Sequence, residues 1–301
     1  MDLSSRLRGL TLHSPVGVAS GTFGYGKEYE GLVDYLRIGA VYTKAVTPEP
    51  RVGNPAPRLV ETPAGLLNSI GLANVGVEAF IAHKMPFLRK IPSAVIVNVA
   101  GATDADYERV VDALEGVEGV DGFEINVSCP NVKHGGLALG TDPKLVAGIT
   151  RSLRARTDKP LILKLSPNVT DIAQMAEAAE AEGADAVSCI NTLVGMVIDL
   201  KTKRPSLPFG TGGLSGPAIL PVAIAAVYKV SRRVKIPVIG IGGITKWEDA
   251  VQHFLAGASA IQVGSGTFAN PRLAQEVHDG LLAWAWEEGL QTLADFHDFG
   301  I

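Results

Sequence analysis

The chain has 301 residues, of which 47% are hydrophobic and 19% are charged, so it can bury a sizeable core and disorder is not expected. Its formal net charge of -4 offers no broad basic field, which argues against nucleic acid as a partner. No stretch reaches the roughly 18 uninterrupted apolar residues of a membrane span. Residues 1–10 lack the apolar run of a secretory signal, so we expect a cytoplasmic protein without a membrane association.

Short apolar runs bounded by Gly, Pro or polar turns predict eight β-strands, each followed by a segment of helical periodicity. The runs are residues 16–19, 40–43, 94–97, 123–127, 161–165, 186–190, 238–241 and 260–263. Several lack polar alternation, which is typical of strands covered on both faces in a parallel sheet. Eight strand-helix units favour an α/β fold of the (β/α)8 TIM barrel type, with an open doubly wound sheet as the alternative. We expect one domain over residues 1–301.

Two of the predicted helices have clear ends. Residues 171–182 stop at Gly183, and residues 246–256 stop at Gly257. Two connections, residues 46–74 and 191–216, exceed the roughly 2 to 6 residues of ordinary barrel loops. Loops of this length carry function or contain extra β-hairpins over the C-terminal mouth of the barrel. The glycine-rich segment 128–140 is expected to be a mobile lid.

Polar residues follow the predicted strands at the end where barrel enzymes place their working side chains. They are Ser20, Lys44, Asn98, Asn126, Ser128, Cys129, Lys164, Ser166, Asn191, Thr192, Gly242, Gly243, Gly264 and Ser265. Their common location predicts that they converge on one mouth. The glycines after the last two strands favour phosphate binding through bare backbone N–H groups, although tight turns also need glycine.

Lys44 and Lys164 each lie within or directly after an apolar run, where a buried ammonium needs an anionic partner. A bound ligand is one candidate partner. The alternative is a lysine that extends from a strand end towards water or pairs with a core carboxylate such as Glu124. The amides of Asn98, Asn126 and Asn191 can donate and accept together, as recognition of a heterocycle requires, but each is also a common turn residue.

The two cysteines differ in context. Cys129 precedes a proline in a glycine-rich loop and can act as a proton acceptor if it is positioned and assisted, whereas Cys189 lies in an apolar strand and is expected to be an inert core thiol. Two thiols cannot supply the four ligands of an iron-sulfur cluster, so any cluster must lie on another chain. No His, Cys, Asp or Glu cluster has metal-ligand spacing, and no metal site is predicted.

One segment resembles the motif of class 1 dihydroorotate dehydrogenases: Asn126-Val127-Ser128-Cys129-Pro130-Asn131-Val132-Lys133. Supporting matches are Ser20-Gly21-Thr22, Lys44-Ala45, Asn68-Ser69-Ile70-Gly71-Leu72, Asn98, Lys164-Leu165-Ser166-Pro167-Asn168, Ile190-Asn191-Thr192, Gly242-Gly243 and Gly264-Ser265. The resemblance covers essentially the whole chain. Class 2 enzymes of similar fold have serine at the base position, so the cysteine indicates class 1.

The resemblance implies one non-covalent FMN at the barrel mouth. Its expected binding residues are Ser20, Lys44, Ala45, Asn98, Asn126, Lys164, Ile190, Gly216, Gly242, Gly243, Gly264 and Ser265. The expected contacts to dihydroorotate and orotate are Lys44, Asn68, Ser69, Ile70, Gly71, Leu72, Asn126, Asn191 and Thr192. In this reading Cys129 removes the C5 proton, a hydride passes from C6 to flavin N5, and Lys164 stabilises negative charge near flavin N1 and O2.

The continuation Asn131-Val132-Lys133 with Gly135 and Gly136 resembles the B type of this family. That type implies a homodimer within a heterotetramer, in which a partner subunit carries FAD and a [2Fe-2S] cluster and passes electrons to NAD+ in pyrimidine (UMP) biosynthesis. The A type, a homodimer that reduces fumarate, is the alternative. Two other classes stay open: a Schiff-base lyase that uses Lys44 or Lys164, and a catalytically silent scaffold subunit.

Overall fold

The computed structural model describes residues 2–128, 133–134 and 137–299. Its strands are, in chain order, β1 (Ser5–Leu7), β2 (Leu10–Leu12), β3 (Val16–Val18), β4 (Ala40–Tyr42), β5 (Leu59–Thr62), β6 (Gly65–Asn68), β7 (Ala94–Val99), β8 (Gly122–Asn126), β9 (Lys133–His134), β10 (Leu137–Ala138), β11 (Leu161–Lys164), β12 (Ala186–Cys189), β13 (Leu193–Met196), β14 (Ile198–Asp199), β15 (Arg204–Pro205), β16 (Thr211–Ser215), β17 (Val238–Ile241) and β18 (Ala260–Val263).

A closed barrel of parallel strands forms the centre of the molecule. It contains β3, β4, β7, β8, β11, β12, β17 and β18, in that order around the wall. Each strand corresponds to one predicted apolar run, and no strand end differs from its predicted position by more than two residues. Because the sheet closes on itself, the open doubly wound alternative is excluded. The predicted (β/α)8 barrel is confirmed.

The helices surround this barrel. They are α1 (Val77–His83), α2 (Met85–Leu88), α3 (Asp104–Glu115), α4 (Pro143–Arg154), α5 (Ile172–Ala181), α6 (Leu220–Ser231), α7 (Trp247–Leu255), α8 (Gly266–Ala269) and α9 (Leu273–Glu287). The two helices with predicted ends, α5 and α7, lie inside their predicted ranges. Asp171 is the N-cap of α5, where its carboxylate accepts a hydrogen bond from the Ala173 backbone N–H.

The prediction of a helix after every strand is wrong at one place. After β3 the chain makes only two short 3-10 turns, Lys27–Tyr29 and Tyr35–Arg37. Gly24 and Gly26 have φ of 59° and 85°, a left-handed conformation that cannot continue a right-handed helix. The C-terminal helix α9 packs against β3 instead.

The barrel interior has an apolar lower layer and a polar upper layer. The lower layer contains Ala40, Ile96, Ile162, Ala186, Ile239 and Ala260, and the β1–β2 hairpin closes this end with Leu7 and Leu12. The next inward-facing positions, two residues further along the strands, are polar. They are Asn98, Glu124, Lys164, Ser188 and Gln262. The apolar layer therefore seals one end, and the polar layer forms the floor of the other.

The two long connections build an extra sheet at the carboxyl ends of the strands, as predicted. Residues 46–74 contribute β5 and β6, and residues 191–216 contribute β13 and β16, in the antiparallel order β13-β16-β6-β5. In the predicted lid, β9 pairs with β10, while residues 129–132 and 135–136 lie outside the described residues, so the lid stays a prediction. Within the described ranges, no helix combines the length and apolar character needed to cross a membrane.

Candidate active site

A cavity opens at the carboxyl ends of the barrel strands, bordered by the extra sheet. All of the predicted cofactor-binding residues line it: Ser20, Lys44, Ala45, Asn98, Asn126, Lys164, Ile190, Gly216, Gly242, Gly243, Gly264 and Ser265. Seven of the predicted substrate-binding residues line it as well: Lys44, Asn68, Ile70, Leu72, Asn126, Asn191 and Thr192. The barrel therefore brings together side chains that are up to 245 positions apart, from Ser20 to Ser265.

Two predicted substrate-binding residues, Ser69 and Gly71, lie outside this lining. The Ser69 hydroxyl accepts a hydrogen bond of 2.8 Å from the Asn54 amide. Gly71 has a φ of 72° and packs against the Asn54 side chain. Both residues therefore shape the segment that presents its neighbours Asn68, Ile70 and Leu72 to the cavity.

Beyond the predicted Ala45, Ile70, Leu72 and Ile190, sequence reasoning did not identify the apolar part of the wall. The large side chains that it missed are Leu59, Leu66, Ile219, Ile241, Ile244 and Phe268, with Phe268 about half exposed at the rim. Apolar residues carry no signal that separates a cavity wall from a core. The only available indication was that Leu59 and Leu66 lie in one of the long connections.

Lys164 lies at the cavity floor and is 5% exposed. Its ammonium is 3.2 Å from the Ser20 hydroxyl and 3.4 Å from Oε2 of Glu124. An ammonium has three N–H donors, so one remains after these two contacts for a group in the cavity. The alternative that a core carboxylate accompanies this lysine is thus confirmed, and Lys164 still lines the cavity.

Lys44 differs from Lys164 in its partners. It is half-buried in the cavity wall, and no carboxylate among residues 2–128, 133–134 and 137–299 lies within ion-pair distance of its ammonium. Its backbone N–H donates to the Gly24 carbonyl at 2.8 Å, which fixes the chain at the end of β4. A half-buried cation that faces a cavity favours an anionic ligand there.

Amide side chains crowd one side of the cavity. The Asn191 amide donates to Oδ1 of Asn126 at 3.2 Å, and the Asn68 amide donates to the Gly213 carbonyl at 3.0 Å. Asn168 ties two loops together, because its amide donates to the Thr192 carbonyl at 3.1 Å and its Oδ1 accepts from the Val194 N–H at 2.9 Å. These contacts hold donors and acceptors in fixed places, as recognition of a small polar heterocycle requires.

The turn after β17 has a backbone that only glycine tolerates easily. Gly242 and Gly243 have φ of 124° and 79°, and a Cβ on Gly243 would lie 2.4 Å from Cβ of Leu220. The imidazole of His253, on α7, supports the turn from behind, with Nε2 3.1 Å from the Gly242 carbonyl. A bare backbone turn at a cavity wall is suited to an anion.

His253 makes the stability of the protein pH-dependent. Burial lowers the pKa of this imidazole to about 4, against weaker raising effects of the Gly242 carbonyl and the Asp249 charge. The native state therefore keeps His253 neutral, while the unfolded chain binds a proton near pH 6.5. The contribution of His253 to the unfolding free energy is therefore fully present above about pH 6.5, and it is lost as the pH falls from about 6.5 to about 4. We expect a loss on the order of 3 kcal/mol of unfolding free energy.

Urea unfolding at a series of pH values measures this loss. His253→Gln should flatten the pH dependence between these limits, whereas His83→Gln, at an exposed position of α1, should keep the wild-type profile. An unchanged profile in His253→Gln would show that other groups are responsible for acid destabilisation.

Of the two cysteines, only Cys189 can be placed. It is fully buried in β12, and burial raises the pKa of its thiol, which confirms the prediction of an inert core thiol. Cys129 lies outside the described residues, so its predicted role as a base stays a prediction. The described chain before it ends at Ser128, whose backbone N–H donates to Oδ1 of the cavity residue Asn126 at 3.2 Å.

Comparison with known proteins places this fold and cavity in a family. A sequence model described as dihydroorotate dehydrogenase matches residues 2–284. The chain belongs to the dihydroorotate dehydrogenase family. It is therefore an oxidoreductase, and the resemblance deduced from the motif around Asn126 is confirmed at the family level.

Several curated relatives of this dihydroorotate dehydrogenase family member share one name. The chain is 52% identical over 294 residues to "Dihydroorotate dehydrogenase B (NAD(+)), catalytic subunit" of Pelobacter propionicus, covering 98% of this chain and 97% of the relative. Proteins of the same name from Trichlorobacter lovleyi and Geobacter sulfurreducens are also 52% identical to this chain. The first match covers 97% of this chain and the second covers 98%, and each covers 96% of the relative. The predicted B-type resemblance is thereby confirmed.

A solved structure supports the architecture. The crystal structure of DHODH in complex with ferulenol from Eimeria tenella superposes with a TM-score of 0.81. It is 23% identical, and the match covers 98% of this chain and 87% of that one. At this identity the likeness concerns the fold.

Proposed function

We propose that this chain is the catalytic subunit of a B-type dihydroorotate dehydrogenase, which oxidises (S)-dihydroorotate to orotate in pyrimidine biosynthesis. The observation that carries the proposal is the meeting, around one cavity, of the buried Lys164 ammonium, the amide cluster and the glycine turn at Gly242 and Gly243. Full-length relatives named as B-type catalytic subunits support the choice of substrate. We propose further that the chain acts as a single domain and works in the cytoplasm.

The cavity residues fit FMN as the cofactor. Oδ1 of Asn98 is buried in the cavity floor and has no hydrogen-bond partner among the described residues, so an acceptor is available for a ligand N–H. The ammonium of Lys164 has two hydrogen-bond partners among the described residues, which leaves its third N–H donor for a ligand. The open backbone at Gly264 leaves room beside the glycine turn for a phosphate, because an added Cβ would have, among the described residues, only Ala19 as a neighbour, at 3.8 Å.

FMN, when bound, supplies a two-electron acceptor for the hydride that leaves C6 of dihydroorotate. The protein residues do the remaining work. Lys164 offers a positive charge on the cavity floor, which would stabilise negative charge on a flavin bound in the cavity. The half-buried Lys44 offers a second cation for an anionic ligand, and Asn68, Asn126 and Asn191 offer donors and acceptors for a ring with alternating N–H and C=O groups.

The proton acceptor in this proposal is Cys129. It follows Ser128, whose hydroxyl is buried and lacks a hydrogen-bond partner among the described residues. A thiol with an ordinary pKa near 8.5 is only partly ionised at neutral pH, so it needs a neighbouring hydroxyl or amide to take the C5 proton. Ser128 and Thr192 are the two hydroxyls that we propose for this assistance.

The proposed route for electrons out of the chain is a partner subunit with FAD and a [2Fe-2S] cluster that reduces NAD+. Two cysteines cannot hold a cluster, and one of them, Cys189, is fully buried. The words "catalytic subunit" in the names of the relatives support a complex with a second kind of subunit. We propose that two copies of this chain form its centre.

Anaerobic addition of dihydroorotate to the purified protein tests the function. We expect a yellow protein whose flavin absorption bleaches on addition and whose product is orotate. A colourless protein that is trapped with a carbonyl substrate by borohydride would instead indicate a Schiff-base lyase on Lys44 or Lys164. A yellow protein that dihydroorotate never bleaches would indicate a silent scaffold.

The electron acceptor is tested separately. Coexpression with the proposed subunit that carries FAD and a [2Fe-2S] cluster should yield a complex that reduces NAD+ with dihydroorotate. Efficient turnover of the isolated chain with fumarate, and none with NAD+ in the complex, would favour the A type.

A further inference from the structure

The polar layer under the cavity contains a buried carboxylate that the proposed function does not use. Glu124 lies on β8 with no exposed surface, directly below the cavity floor. Its Oε1 accepts hydrogen bonds from Ser188 at 2.9 Å and from Gln262 at 2.7 Å. Its Oε2 accepts from Asn98 at 2.7 Å and from Lys164 at 3.4 Å. Four donors therefore surround this carboxylate and occupy its lone-pair directions.

The donors come from four different strands, which fixes the carboxylate in place. Asn98 lies on β7, Lys164 on β11, Ser188 on β12 and Gln262 on β18. Lys164, in contrast, is a flexible side chain with two contacts, one to Ser20 and one to Glu124. The rigid partner is therefore Glu124, and the ammonium takes its position from it.

The pair also balances charge in the barrel interior. Glu124 is fully buried and Lys164 is nearly so. An isolated charge in such an environment is strongly disfavoured. The field of the carboxylate is felt nearby: burial and, after it, the Glu124 charge raise the pKa of the Tyr42 hydroxyl. A ligand on the cavity floor would experience the ion pair rather than a lone cation.

We propose that the fixed Glu124 carboxylate offsets the charge of Lys164 at the cavity floor, and that this effect outweighs its hold on the lysine, so that Glu124 lowers the tendency of bound flavin to be reduced. The inference rests on the proposed function, because it concerns a flavin above Lys164. Without the carboxylate, an uncompensated ammonium stabilises the negative charge of the reduced ring more strongly.

The midpoint potential of bound FMN tests this inference. Glu124→Gln keeps the shape of the side chain and removes its charge. We expect the potential to rise, so that the ratio of reduced to oxidised flavin at a fixed ambient potential increases on the order of tenfold, as expected for the loss of one buried charge beneath the cavity floor. Lys164→Met should shift the ratio in the opposite direction, and the double variant should lie between the two single variants.

Ser188→Ala is the matched control, because it removes one hydrogen bond to Glu124 and leaves both charges in place. Its ratio of reduced to oxidised flavin should stay within about twofold of the wild type. If Glu124 had only a structural role, Glu124→Gln would leave the potential unchanged, or would lower it by letting Lys164 move away. Either of these results overturns the inference.

Thermal unfolding of the flavin-free protein gives a second measurement that does not depend on the cofactor. Lys164→Met leaves Glu124 buried without its cation, so the double variant Glu124→Gln/Lys164→Met should unfold at a higher temperature than Lys164→Met alone. A double variant that is no more stable overturns the pairing. Wild-type protein that binds no FMN would overturn the proposed function as well, whereas flavin-loaded protein whose potential ignores Glu124→Gln overturns only this inference.

Discussion

Replacing Cys129 with alanine is expected to leave FMN bound while its reduction by dihydroorotate slows by about 100-fold to 10,000-fold. The physical reason is the loss of the base that takes the C5 proton, since general-base catalysis contributes a factor of that order. Anaerobic stopped-flow measurement of flavin bleaching gives the rate, and the absorption spectrum before mixing shows whether flavin is present. Cys129→Ser should recover part of the rate at high pH, where a hydroxyl is a better proton acceptor.

The other cysteine provides a matched control for the thiol chemistry. Cys189→Ala removes a thiol that is fully buried in β12 and has a raised pKa, so it should reduce stability modestly and leave the bleaching rate close to the wild-type rate. Wild-type bleaching in Cys129→Ala, or an equal loss in both variants, would remove Cys129 from the mechanism.

Gly243→Ala is expected to weaken FMN binding by at least about 100-fold. The residue has a φ of 79°, where a non-glycine residue is strained, and its new Cβ would lie 2.4 Å from Cβ and 2.5 Å from Cα of Leu220. The turn must therefore shift, and the backbone N–H groups that we propose for the phosphate shift with it. Titration of flavin-free protein with FMN, followed by flavin fluorescence, measures the dissociation constant.

Substitutions at two other glycines are controls that distinguish a loss of folding stability from a loss of FMN binding. In the part of the chain that the structure describes, the Cβ of Gly264→Ala meets only Ala19, at 3.8 Å, so the flavin-free protein should keep its stability. Gly148→Ala, on the exposed side of α4 with nothing within 4 Å, should stabilise the protein by about 1 kcal/mol and leave FMN affinity unchanged. Wild-type affinity in Gly243→Ala would place the phosphate elsewhere in the cavity.

The sequence alone was sufficient for the barrel because each strand carries its own signal. A strand buried on both faces is a short apolar run between turns, and this can be read without knowledge of its neighbours. The same local logic located the site, since carboxyl ends of parallel strands share one edge and the first polar residue after each run must face it. Ser20, Lys44, Asn98, Asn126 and Lys164 follow from this rule and line one cavity.

The features that the sequence did not predict depend on contacts with other parts of the structure. The missing helix after β3 depends on glycines in a left-handed conformation, and the outward position of Ser69 depends on a hydrogen bond to Asn54. Apolar wall residues such as Leu66 and Ile241 were not predicted, because the sequence pattern of an apolar residue is the same in a core and at a cavity wall. In each case the deciding partner is another part of the structure rather than the local pattern.

By itself, the sequence determined the eight strands, the set of polar residues at their ends and the resemblance to the dihydroorotate dehydrogenase family, because these are properties of short segments. Only the tertiary structure decided that Glu124 receives hydrogen bonds from four strands, including one from Gln262, 138 residues away. It also decided that His253 supports the turn at Gly242. Such contacts arise when the barrel closes, since closure brings inward side chains of distant strands within hydrogen-bond distance in a medium that penalises every unpaired charge.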